Sequence, residues 1–124
     1  MKPSLVKAWA ADLRSGKFVQ AGGVLHRTKA EGRSRIERAG YCCLGVLSTR
    51  VCRLKAVRET GWKWDGVQWK TGRDVVTNAL PTDVLRAIGM TENDQWNLAD
   101  KNDRGTTFPT IAKLIERMYL GGAK

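Results

Sequence analysis

The chain is poor in the side chains that small enzymes are usually built around. It holds one histidine, His26, among 124 residues, so any imidazole base or ligand must be this single side chain. Cysteine is scarce too: Cys42, Cys43 and Cys52 are an odd set with two members adjacent. That makes a poor disulfide framework and fits a reducing compartment. No run approaches the ~20 apolar residues of a membrane span. Low-complexity tracts and internal repeats are absent, as are the P-loop, G-x-G-x-x-G, H-E-x-x-H and G-x-S-x-G patterns. Without a helix-turn-helix, zinc-finger or RRM signature, sequence-specific nucleic-acid readout is not expected. The opening MKPSLVKAWAADLRSGK is broken by Lys7, Asp12 and Arg14, so it reads as an amphipathic helix and not as a signal peptide. The expectation is one cytoplasmic domain over 1–124, long enough to bury roughly two thirds of its unfolded surface.

Acidic residues are the other shortage. Asp and Glu number 12 against 22 Lys and Arg, a net charge of +10. The imbalance is uneven: residues 1–60 carry 13 basic and 4 acidic side chains, whereas residues 61–124 carry 9 and 8. The N-terminal half therefore predicts an anionic partner, either nucleic acid, a nucleoprotein or an acidic protein face.

Hydrophobic spacing supplies the elements. Leu5, Trp9 and Leu13, with Val6 beside them, predict a helix over 4–14, capped by Ser4 and ended at Gly16. Phe18–Gln20 and Val24–His26 read as short extended segments. Residues 27–39 are rich in Arg and Lys and read as a basic loop or arm. After Tyr41, the arc formed by Leu44, Leu47, Val51 and Leu54 predicts a second helix with Arg50 and Arg53 together on its edge. In GWKWDGVQWKTG, Asp65-Gly66 suits a two-residue hairpin turn. That turn sets Trp64 opposite Val67, Lys63 opposite Gln68 and Trp62 opposite Trp69. Leu80-Pro81 and TDVLRAIG predict a short helix ending at Gly89. Residues 93–105 read as a polar loop, and Thr107–Tyr119 as a last helix. The fold class expected is α+β, with three to four helices packed on a small antiparallel sheet that includes a Trp-rich hairpin.

Chemical sites are hard to assemble from these parts. Zinc needs four Cys or His ligands, usually in paired knuckles, and Cys42, Cys43, Cys52 and His26 do not have that spacing. A cysteine nucleophile needs a base to form thiolate, and His26 is the sole histidine. GYCCLGVL, residues 40–47, is read as a buried strand-to-helix junction, with Gly45 permitting close helix approach. DKNDRG, residues 100–105, begins like a calcium loop but places Arg104 and Ile111 where ligands belong, so Asp100, Asn102 and Asp103 read as turn-formers. No catalytic residue, metal or cofactor is expected. Binding is the remaining capacity. Arg27, Lys29, Arg33, Arg35, Arg38, Arg50 and Arg53 form the expected partner- or phosphate-binding set. The Trp62, Trp64 and Trp69 side chains are assigned to the core ahead of a stacking role.

GYCCLGVL combines with Trp9 and the LRSGK of residues 13–17, the L-P-x-x-V-L-x-x-x-G of 80–89, and the L-A-x-x-N-D-x-G-x-x-F-x-x-I-A-x-x-I-E of 98–116. In this combination the chain resembles a group of small proteins encoded by phages and prophages. The basic segment before Gly40 departs from that pattern. The resemblance implies a phage context, in which small proteins without catalytic motifs often bind a host or phage macromolecule, anti-CRISPR inhibitors among them. The expected function is a non-enzymatic, anti-CRISPR-like inhibitor of a bacterial defence system. It would act in the host-cell cytoplasm on a defence protein or nucleoprotein complex, with RNA or DNA as further partners and no membrane. The alternatives are a general nucleic-acid-binding accessory protein and a small enzyme using Cys42 or Cys43.

Overall fold

A computed structural model describes residues 1–28 and 39–121. The first helix, α1 (Pro3–Arg14), starts with proline at its first position, where the missing N–H costs no helical bond. Lys2 occupies the N-cap and Ser4 lies inside the helix, so the expected serine cap does not form. Val6, Trp9, Ala10 and Leu13 make the buried stripe, a helical i, i+3, i+4, i+7 pattern. The last helix, α6 (Phe108–Leu120), buries Phe108, Ile111, Ala112 and Ile115 with the same spacing. These two helices, from opposite ends of the chain, form the most extensive helix pair.

Between them lie two small antiparallel sheets. β1 (His26–Arg27) pairs with β2 (Gly40–Tyr41), and Gln20 bridges to Tyr41 alongside. The segment Phe18–Gln20 thus contributes a bridge and not a strand. β2 runs into α2 (Cys43–Val51), whose N-cap is Cys42. Here Gly45 has a steric duty, since a Cβ on it would lie 1.8 Å from the Leu25 carbonyl oxygen. Leu25 also ties the two sheet regions together: its N–H donates to Thr77 O and its carbonyl accepts from Cys42 N–H. Leu54 does not extend the α2 arc. The helix stops at Val51, and Leu54 is the exposed N-cap of a single turn, α3 (Lys55–Arg58).

The second sheet has the order β3 (Lys63–Trp64), β4 (Trp69–Lys70), β5 (Val75–Val76). Its register corrects the sequence expectation: Trp64 stands opposite Trp69 and Lys63 opposite Lys70. The two-residue turn fails because the Asp65 carboxylate accepts from the backbone N–H groups of both Val67 and Gln68, at 2.9 Å each. That side-chain-to-backbone capture makes a four-residue connection the stable one. A shift of two residues keeps the faces unchanged, but the tryptophans do not share one fate. Trp69 is fully buried in the central strand and donates its indole N–H to Ser48 Oγ at 2.8 Å. Trp62 and Trp64 are half-buried.

The last correction is the largest. The stretch expected to be a polar loop is a 12-residue helix, α5 (Glu92–Asp103), preceded by α4 (Thr82–Ile88). Asp100, Asn102 and Asp103 therefore belong to a helix and not to a turn. Pro81 is the N-cap of α4, and Gly89 closes it with φ +76°. Thr91 caps α5 by accepting from Asp94 N–H. The described residues thus hold six helices and two small antiparallel sheets, an α+β architecture with more helix than expected.

Candidate interaction surface

The seven basic residues singled out from the sequence fall into three groups. Lys29, Arg33, Arg35 and Arg38 lie outside the described residues. Arg27, at the end of β1, sends its guanidinium back to the Gly22 carbonyl at 3.2 Å, beside the 22–23 loop and away from the α2 C-terminus. Arg50 and Arg53 are brought together there, as their spacing predicts. They line a cleft of about 360 Å³ with Asp12, Lys17, Phe18 and Thr49. Arg50 is held by a bidentate pair to Asp12 of α1, at 2.9 and 2.7 Å. That fork fixes the guanidinium plane and neutralises one charge. Arg53 and Lys17 make no ion pair among the described residues.

Lys17 is the basic residue that the sequence reading missed at this cleft. Its signal was present in LRSGK: the glycine after α1 turns the chain with φ +77°. That turn carries the next lysine back towards the neighbouring helix end. The cleft therefore sits where α1, α2 and the 15–18 turn meet.

Each of the three cysteines has its thiol pushed above the ordinary range. Cys42 is buried at the start of α2, and burial pushes its thiol up to about 11, outweighing the N–H groups of Gly45 and Leu44 that favour thiolate. A shallow cleft of about 240 Å³ reaches it, lined also by Asn78, Trp96, Asp100 and Asp103. The nearby Asp103 charge opposes thiolate formation still further. Cys43 is pushed well above the usual thiol range, first by burial and then by Cys42. Its Sγ points to the Leu98 carbonyl at 3.7 Å. Cys52 is also raised by burial, with Arg53 acting in the opposite direction. His26 is stacked flat on Tyr41, with centroids 3.8 Å apart, and its Nδ1 meets the Gly66 carbonyl at 2.6 Å. Among the described residues, no group of three or more Cys, His, Asp or Glu is arranged to hold a metal ion. No described helix is long and apolar enough to cross a membrane.

One buried amide, Asn102, and one half-buried amide, Gln20, hold several elements together. Asn102 accepts from the Cys43 N–H and from Gln20 Nε2, both at 3.1 Å, and donates to Ala21 O at 2.7 Å. Gln20 in turn donates to Thr106 O and accepts from Phe108 N–H. One polar network thereby fastens the α2 start, the 20–21 segment and the α6 start to α5. Compared with protein-family models, with curated proteins and with solved structures, the chain matches none.

Proposed function

We propose that this protein works by binding and not by catalysis, as a phage-encoded inhibitor of a bacterial defence system, anti-CRISPR-like in kind. Its basic N-terminal half docks in the host cytoplasm on a nucleoprotein effector or on that effector's nucleic-acid channel. The observation that carries this reading is the convergence of Lys17, Arg50 and Arg53 on one cleft, within the half of the chain that holds 13 of the 22 basic side chains. Exposed cations gathered in this way contribute little to folding and much to the capture of polyanions. The resemblance carried by GYCCLGVL supplies the phage context. Neutral, buried thiols argue against Cys42 or Cys43 as nucleophiles, because the thiolate is the reactive species.

The test is an affinity capture of the tagged protein from bacterial lysate, with and without nuclease. It is run beside an Arg33→Ala/Arg35→Ala/Arg38→Ala variant and an Arg50→Ala/Arg53→Ala variant. A defined protein complex that survives nuclease and is lost in the variants, with melting temperatures nearly unchanged, is the expected result. Recovery of mixed nucleic acid alone, abolished by nuclease, overturns the inhibitor reading in favour of a general nucleic-acid-binding accessory protein. In that case log affinity falls with log salt at a slope of about −3.6 for about four neutralised phosphates.

A further inference from the structure

The C-terminal half is nearly neutral by count, yet folding sorts its charges. Most of its carboxylates are engaged: Asp65 with Lys70, Asp83 with Arg86, Glu92 with the Thr82 hydroxyl, Asp94 with the Tyr119 hydroxyl, Asp100 with Arg104 and Asp103 with Gly23 N–H. Glu116 is turned away to Arg14 of α1, at 2.9 Å. Lys63, Arg73, Lys101, Lys113 and Arg117 form no ion pair among the described residues, and folding brings Lys101, Lys113 and Arg117 of these together. These three cations, from α5 and α6, line one cleft of about 370 Å³ together with Thr106, Thr110 and Leu114. No carboxylate lines it. The adjoining cleft, which shares Lys101 and Leu114, carries Asp94 and Asp100, the two acids already engaged by Tyr119 and Arg104.

We infer that this α5–α6 cleft is a second phosphate-contacting surface, for the backbone of a nucleic acid. Three features favour that occupant. Thr106 and Thr110, on either side of the α6 start at Phe108, add two hydroxyls to the three cations. Cations and hydroxyls are among the groups that contact phosphates without reading sequence. The lining has a single apolar residue, Leu114, and no aromatic, whereas tryptophan and tyrosine in packed pockets are prominent among the anchors of protein interfaces. The cleft is also tied to the segment that follows Lys17 by one hydrogen bond. Gln20 donates to Thr106 O at 2.7 Å, which pins the segment that begins at Lys17 to the rim of the second cleft. This inference does not depend on an anti-defence role, since it concerns a different set of residues.

The test is fluorescence anisotropy with short labelled duplexes of DNA and of RNA in two unrelated sequences, over a series of salt concentrations. Replacing Lys101, Lys113 and Arg117 with alanine is expected to weaken binding equally for both sequences. The salt slope is expected to flatten by about 2.7, three phosphates at about 0.9 each. The single Lys113→Gln variant, which cannot disturb the fold appreciably, is expected to flatten it by about 0.9. Unchanged affinity and slope in both variants overturn the inference, as does a wild-type protein that binds neither duplex. Retention of a protein partner by wild type but not by the triple variant, with no duplex binding, also overturns it and makes the cleft an acidic-protein surface. Loss of protein capture in the Arg50/Arg53 variant alone leaves this inference standing, so the two readings fail separately.

Discussion

Cys42 is held at the start of α2 with its thiol buried and its pKa pushed up to about 11 by desolvation. An unfolded cysteine titrates near 8.5. The folded value is the higher one, so this group's contribution to stability is fully present below about pH 8.5. It is lost as pH rises towards 11, at about 1.4 kcal/mol per pH unit. Urea midpoints measured at pH 8, 9 and 10 should therefore fall more steeply for the wild type than for Cys42→Ser, which has nothing to ionise. Equal slopes would mean that the thiolate forms in the folded protein at no cost, and would reopen the case for a reactive cysteine. The burial of GYCCLGVL was legible in its apolar composition. The neutrality of the thiols was not, because it depends on what packs over them.

At the scale of the element, α5 is the piece that the sequence disguised. Its buried positions are Gln95, Leu98 and Asn102, a helical spacing whose two ends are amides. Gln95 makes a two-way bond with the Leu80 backbone, at 2.8 and 3.3 Å, and Asn102 serves Cys43, Gln20 and Ala21. A hydrophobic period fails to register such a helix, because hydrogen bonding replaces apolar burial on its inner face. The tetrad Thr91-Glu92-Asn93-Asp94 does carry a capping signal. Replacing Asn102 with alanine should cost about 2–4 kcal/mol in urea unfolding, since it orphans a buried N–H and a carbonyl. A change within about 0.5 kcal/mol, typical of a surface site, would return residues 93–105 to the status of a loop.

For the whole molecule, closure runs through the chain ends. α1 and α6 bury matching stripes against each other and are clasped outside by Arg14 and Glu116. The Arg14 guanidinium holds the Glu116 carboxyl below its ordinary value, but the pair is exposed and weak. The apolar seam does the holding. Deleting residues 107–124 should therefore abolish the cooperative thermal transition followed by circular dichroism. It strips the cover from Val6, Trp9, Ala10 and Leu13 together. A truncated chain that still melts cooperatively would show that α1 has another partner able to close the core.

The amino-acid order by itself determined the two terminal helices, the buried junction at Cys42–Cys43, the glycine demanded at position 45 and the basic excess of the first half. Each of these is a local pattern: apolar period, residue size or charge count. Tertiary structure alone decided three other matters. It chose a four-residue turn at Asp65 and the pairing of Trp64 with Trp69, because β4 lies between two partners and its Trp69 must reach Ser48. It made a helix of residues 92–103, because their amides find backbone partners far away in sequence. It also gathered Lys101, Lys113 and Arg117 into one cation-lined cleft within a nearly neutral half. Charge placement in space depends on which carboxylates the fold has already engaged, and no linear count contains that information.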